Sequence, residues 1–327
     1  MKFDFIGNAK VKEQIAYLAE SERLPHAIVI EGDEGLGKRT FAKEIALALF
    51  CRSDGEKPCH ECAQCHKAMK GYHPDLYEYS ATGGARSFHV DVVREVKEDV
   101  FISPNEAQYK IYILGNCQCM SESAQNAILK ILEEPPTYAV FILTVNNKSA
   151  LLETVLSRSV VLSLEGVDAP QGAEYICEKM PDVDYPDALN AVEVWGGNIG
   201  KAMQSLGDGK LSKISGIACD MADALIQPNE YELLKVCAVF ERDRETLIAA
   251  LSLLKSILRD ALVYRNETVL LSGQKEQARA LNSSLGKAKL MRLITTCDEL
   301  IKYAEKNGNN AILITKVCYE LRRAQNR

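Results

Sequence analysis

A chain of 327 residues with 39 Lys+Arg against 45 Asp+Glu, and hence a net charge of −6, has room for two domains or three small ones. Hydrophobic residues at 47% and charged residues at 26% exclude collagen-like, disordered and coiled-coil classes. No apolar run reaches the ~18–20 residues of a membrane span, and the mild acidity argues against a generic nucleic-acid coat. The first ten residues, Met1 to Lys10, hold no signal-peptide core, so a cytoplasmic protein is expected.

Residues 8–23 carry Val11, Ile15, Leu18 and Ala19 at helical spacing. Residues 27–30 read as a short buried strand that runs into a Gly-rich turn at Gly32, Gly35 and Gly37, followed by Lys38 and a helix over 39–50. Four cysteines come next, Cys51, Cys59, Cys62 and Cys65, in a segment that Gly55 and Pro58 mark as loop. Strands are expected over 74–79, 110–114, 139–145 and 159–162. Helices are expected over 90–100 and from the capping residue Ser121 to about 133, where Pro135 and Pro136 stop the second. Strands alternating with helices predict an α/β domain with a mostly parallel sheet.

After about residue 166 the strand signals end. Residues 170–207 read as short helices with turns at Pro181, Pro186 and Gly196-Gly197. From about 210 onward the pattern is helical, as in Leu247, Leu251, Leu254 and Leu258, then Leu290, Leu293, Ile294, Cys297, Leu300 and Ile301. Glycine-containing breaks stand at Ser272-Gly273 and Asn307-Gly308. The predicted organisation is an α/β domain over 1–166 with a cysteine module at 51–65, a small helical domain over 167–208 and an all-α domain over 209–327.

The spacing Cys51-x7-Cys59-x2-Cys62-x2-Cys65 offers four thiolates to one tetrahedral zinc ion. His60 and His66 interrupt the spacing as competing ligands, and a disulfide is disfavoured in a reducing compartment. Four protein ligands leave no position for water, so the zinc would be structural. The other seven cysteines, Cys117, Cys119, Cys177, Cys219, Cys237, Cys297 and Cys318, read as small buried hydrophobes.

Gly32, Gly35, Gly37 and Lys38 lie between a strand and a helix, the context a phosphate loop requires. Backbone N–H groups would cradle phosphate oxygens at the helix N-terminus, with Lys38 reaching the β- and γ-phosphates. The next residue should carry a hydroxyl for Mg²⁺ but is Arg39, and Thr40 is turned about 100° away. The strand over 111–114 should end in Asp-Glu but ends in Gly115-Asn116. Without those groups the charge of phosphoryl transfer is left unstabilised. Negligible intrinsic ATP hydrolysis is expected, with ATP or ADP bound weakly or not at all.

Several segments resemble one family. They are Phe5-Ile-Gly-Asn8, Arg23-Leu-Pro-His-Ala27, the four-cysteine insert, His73-Pro-Asp75, Asn126-Ala-Ile-Leu-Lys-Ile-Leu-Glu-Glu-Pro-Pro136 and Leu156-Ser-Arg-Ser159. Together they are similar to the gamma/delta-prime family of bacterial DNA polymerase III clamp-loader subunits, in the AAA+ superfamily. Ser159 replaces the family's Cys in its Ser-Arg-Cys motif.

The resemblance implies an AAA+ domain, a helical lid over 167–208 and a collar over 209–327 within a five-subunit ring. It implies that Arg158 is an arginine finger supplied to a neighbouring ATPase subunit. It also implies gamma/tau and delta subunits as partners, with the sliding clamp and primed DNA reached through the complex, polymerase activity in other subunits, and no membrane. A sensor Arg is expected near Gly200, with Lys201 beside it as a candidate substitute. These departures favour the delta-prime type over the alternative, an ATP-hydrolysing gamma/tau type. A third reading, a zinc-dependent DNA-binding module, rests on Lys57, Lys67 and Lys70, which Asp54, Glu56 and Glu61 offset.

Overall fold

Unbroken apolar runs form strands buried on both faces, the pattern of a parallel sheet covered on each side. In chain order the first unit, Met1–Gly166, contains α1 (Ala9–Glu20), β1 (Ala27–Glu31), α2 (Lys38–Phe50), α3 (Ala63–Met69), β2 (Leu76–Ser80), α4 (Val90–Asp99), β3 (Lys110–Gly115), α5 (Glu122–Glu133), β4 (Ala139–Val145), α6 (Glu153–Leu156) and β5 (Val160–Ser163). The computed structural model describes residues 1–21, 23–80, 90–207, 209–227, 229–240, 243–264, 272, 274–305 and 310–326.

The five strands are parallel in the order β2-β3-β4-β1-β5. Alternate residues feed two cores. Ala27, Val29, Tyr112 and Phe141 face α4, α5 and α6, while Ile28, Ile30, Ile111 and Ile113 face α1, α2 and α3. Tyr77, Tyr112 and Phe141 lie in register on β2, β3 and β4, and their rings stack 5.1 Å apart at each step. Lys110 is buried at the start of β3, where it pairs with Asp99 at 2.9 Å, and the Tyr112 hydroxyl donates to the same carboxylate at 2.6 Å. The Asn8 side chain donates to the Glu165 carbonyl at 3.1 Å and accepts the Glu165 N–H at 2.9 Å.

Two helices depart from the sequence expectation. α3 begins inside the segment read as loop, because the Cys62 sulfur caps it by accepting the Cys65 N–H. The four-residue α6 is too short to show a helical period.

The second unit, Val167–Arg327, contains α7 (Ala169–Lys179), α8 (Tyr185–Val194), α9 (Ile199–Gly207), α10 (Lys210–Ile226), α11 (Glu230–Cys237), α12 (Arg244–Val263), α13 (Lys275–Ser284), α14 (Lys287–Glu305) and α15 (Asn310–Asn326). One continuous core runs through it from Ala173 to Ala324. α12 is central, with α8, α10, α13 and α14 packed on it. The Arg322 guanidinium from α15 donates to the carbonyls of Ala224, Gln227 and Asn229, closing the C-terminus of α10. The predicted breaks at Gly273 and Asn307-Gly308 lie outside the described residues. Among the described residues no helix is long and apolar enough to cross a membrane.

Candidate nucleotide, metal and arginine sites

The turn after β1 uses glycine where no side chain fits. Gly37 has φ +79°, and a Cβ there would stand 2.9 Å from the Phe5 ring, which itself packs on Phe41. Gly32 has φ +156°, and a Cβ there would meet the Leu164 carbonyl at 3.1 Å. The Lys38 ammonium donates to the carbonyls of Gly32 (2.6 Å) and Asp33 (2.9 Å) and to Asn146 Oδ1 (2.9 Å). A phosphate must compete with three oxygen acceptors for this cation. Asn146 was missed by sequence reasoning; its signal is a polar residue directly after seven buried positions of β4.

Arg39 turns away from the loop. Its Nε and Nη2 donate to Glu78 Oε2 on β2 at 3.1 and 2.7 Å, and Lys43 holds the same carboxylate at 2.8 Å. Burial opposes the charge of Glu78, but these two cations outweigh it and lower its pKa. Gly115 ends β3 against Ser80, whose Oγ would stand 2.9 Å from a Cβ placed there. A carboxylate at residue 115 would need Ser80 to shift.

The Sγ atoms of Cys51, Cys59, Cys62 and Cys65 lie within 4.8 Å of one another. A tetrahedral zinc–thiolate centre, with Zn–S about 2.3 Å, has sulfurs roughly 3.8 Å apart, so a small contraction makes this cluster fit. N–H groups support the thiolates: Cys59 donates to Cys51 Sγ (3.4 Å), Cys62 to Cys59 Sγ (3.3 Å) and Cys65 to Cys62 Sγ (3.5 Å). Burial opposes ionisation of Cys62, yet the N–H groups of Cys65 and Arg52 outweigh it and bring its pKa down to about 6. Cys65 is pushed up by its burial. His60 turns to Glu44 at 3.6 Å and His66 is exposed. Lys67 is engaged by Glu106 at 2.5 Å, which removes one of the three lysines a DNA-binding module would use.

Outside the cluster, Cys117, Cys237 and Cys297 are buried as expected, Cys177, Cys219 and Cys318 are half-buried, and Cys119 is exposed. The exposure of Cys119 corrects the reading of all seven as core residues. It closes a single turn of 3₁₀ helix, where a side chain can point outward.

The segment His73-Pro-Asp75 anchors the cysteine module. His73 stacks on Phe50 at 3.9 Å and meets Gln64 of α3 at 2.7 Å. Asp75 is fully buried, and its carboxylate accepts the N–H groups of Asn105, Glu106 and Ala107. Burial alone would raise its pKa, but these N–H donors lower it. Asp75→Ala leaves the three donors unpaired and is expected to cost about 3 kcal/mol at neutral pH. The Asp75 contribution is complete above the unfolded-state pKa of about 3.9, and it disappears as pH falls through the lower folded-state value. Urea unfolding of the two proteins from pH 7 to pH 3 should therefore show the gap narrowing at the acid end.

Arg158 follows α6. Its Nη2 pairs with Glu133 Oε1 at 3.0 Å and its Nη1 donates to the Thr154 carbonyl at 3.0 Å. Ser159 Oγ donates to the Val155 carbonyl at 2.8 Å, so this serine serves the turn. Gln125, buried on the inner face of α5, accepts the Leu152 N–H at 2.8 Å and donates to the Ala150 carbonyl at 3.1 Å. It thereby fixes the start of α6. Sequence reasoning passed over Gln125, although a glutamine between Ala124 and Ile128 on an apolar face is a signal. Lys201, in the second unit, pairs with Glu245 at 2.6 Å and lies 5.7 Å over the Trp195 ring.

Residues 7–168 match the protein family described as DNA polymerase III, delta subunit. The chain is 30% identical over 196 residues to DNA polymerase III subunit delta' of Haemophilus influenzae, a match covering 60% of this chain and 58% of that protein. It is 26% identical over 265 residues to DNA polymerase III subunit gamma of Buchnera aphidicola, covering 78% of this chain and 72% of the relative. A solved gamma subunit-related protein of Thermotoga maritima aligns over 95% of this chain and 99% of its own, at 18% identity and a TM-score of 0.37.

Proposed function

We propose, for a chain whose residues 7–168 match the family described as DNA polymerase III, delta subunit, a non-hydrolysing role of the delta-prime type in a clamp loader of AAA+ subunits. Its parts would be a structural zinc at Cys51, Cys59, Cys62 and Cys65, and a phosphate loop at Gly32, Gly35, Gly37 and Lys38 that binds nucleotide weakly or not at all. Arg158 would be lent to a neighbouring ATPase subunit. Residues 167–208 would act as the lid and residues 209–327 as the collar that joins gamma/tau and delta subunits. The assembled ring would load the sliding clamp onto primed DNA.

One observation carries the loss of hydrolysis. Neither metal-positioning place offers a ligand: Arg39 is paired with Glu78, and a side chain at Gly115 would collide with Ser80. Phosphoryl transfer needs Mg²⁺ and a group that orients water, since little else lowers its barrier. The family's glutamate and hydroxyl have no replacement at these positions. Lys201 is engaged by Glu245 and Trp195, which further supports the absence of a sensor cation.

The gamma-type reading has an observation of its own: the Buchnera gamma relative matches over more of both chains than the Haemophilus delta' relative does. Phosphate release from the purified chain separates the two readings. A rate indistinguishable from the no-protein control supports the delta-prime type. Phosphate release clearly above that control, lost when Lys38 is replaced by alanine, establishes the gamma type.

A further inference from the structure

We propose that Cys237 and Cys318 form a peroxide-sensitive thiol pair that closes to a disulfide and fastens α15 to α11. The inference is independent of the assembly role. Cys237 is the last residue of α11 and is buried, whereas Cys318 lies in the middle of α15 and is half-buried. The two helices pack side by side, with Leu233, one helical turn before Cys237, facing α15. Cys318 Sγ approaches the Leu233 carbonyl at 3.8 Å.

Access is one-sided. Cys318 lines a surface cavity of about 470 Å³ with Tyr231, Leu234, Tyr319 and Arg322, wide enough for a small oxidant. Cys237 stands behind it with no exposed surface. The outer sulfur therefore meets the oxidant and the inner one is placed to resolve the product.

The electrostatics favour the same division. The neighbouring Cys237 thiol stabilises a Cys318 thiolate, burial opposes it, and the Arg322 guanidinium adds to the stabilisation, so the Cys318 pKa is lowered. The neighbouring Cys318 and burial together push the Cys237 pKa up. Arg322 thus favours a thiolate at Cys318, the sulfur that lines the cavity.

The chemistry balances with hydrogen peroxide as the oxidant. The Cys318 thiolate attacks one peroxide oxygen, an S–O bond forms, the O–O bond breaks and hydroxide leaves. Cys318 is oxidised by two electrons to a sulfenic acid, and the peroxide is reduced. The Cys237 sulfur then attacks the Cys318 sulfur, the S–S bond forms, and the departing hydroxide takes the Cys237 proton as water.

The test uses the full chain, reduced and then exposed to hydrogen peroxide. Remaining thiols are blocked with N-ethylmaleimide under denaturing conditions, and the chain is digested without reductant for mass spectrometry. The expected product is one pair of peptides joined through Cys237 and Cys318, reverting to separate peptides with dithiothreitol. In Cys237→Ala the linkage is lost and dimedone, a sulfenic-acid trap, marks Cys318 instead. The wild-type peptide map is decisive even if that variant fails to fold. The proposal is overturned if peroxide that fully oxidises the exposed Cys119 leaves Cys237 and Cys318 as free thiols, or if Cys318 is found joined to a different cysteine.

Discussion

In a loader rebuilt from purified subunits, replacing Arg158 by alanine is expected to slow hydrolysis at the neighbouring ATP site that the proposed function assigns to it by about 10³-fold or more. A guanidinium placed against the γ-phosphate stabilises charge that develops only in the transition state, so its removal acts on the rate more than on nucleotide affinity. The competing explanation is loss of structure, and the local geometry limits it. Arg158 is held by a partly exposed pair with Glu133, by the Thr154 carbonyl and by a long contact to the Ser157 hydroxyl. An exposed pair of this kind contributes about 0–1 kcal/mol. The variant should therefore unfold within a few degrees of the parent while the DNA-stimulated rate falls. Arg158→Lys keeps the charge but loses the planar fork, and should recover only part of the rate. Unchanged turnover in the alanine variant, with the complex intact, would remove the finger from the proposed function.

The second large effect concerns the cysteine cluster. About one zinc per chain is expected in the purified protein, and Cys62→Ser should abolish it, because three thiolates and a hydroxyl no longer complete the closed donor set. Structural zinc sites bind with apparent free energies of about 10–16 kcal/mol in isolated fingers. Here the module rests on a folded unit, since Cys51 directly follows α2, Cys65 is buried in α3, and both join the core beneath α2. Metal loss should thus loosen 51–69 and lower the melting temperature, while the sheet persists with its circular dichroism. Atomic absorption and thermal unfolding check both parts. A variant that retains its full metal content would exclude Cys62 as a ligand.

The features legible in the sequence are those with a local period or spacing. β1, β3 and β4 were visible as apolar runs because both faces of each are buried. The four-cysteine cluster and the glycine turn are visible because their spacing is written within fifteen and seven consecutive positions. What could not be read is which distant side chain answers each local one. Arg39 announces a missing hydroxyl, but nothing near it predicts Glu78 on β2. Asp75 looks like part of a motif, yet its partners are the N–H groups of 105–107. Gln125 and Arg158 belong to one arrangement around α6, whose four residues leave no periodic trace. Such pairings depend on how strands are ordered in the sheet, and β2-β3-β4-β1-β5 is not sequence order.

The exchange of two hydrogen bonds between Asn8 and Glu165 ties the residue before α1 to the chain just beyond β5, two places far apart in sequence. The opposite border, β2, lies four strands from β5, or about 19 Å at the usual interstrand spacing. A label at Glu165 and a second on β2 would therefore report across the full width of the sheet.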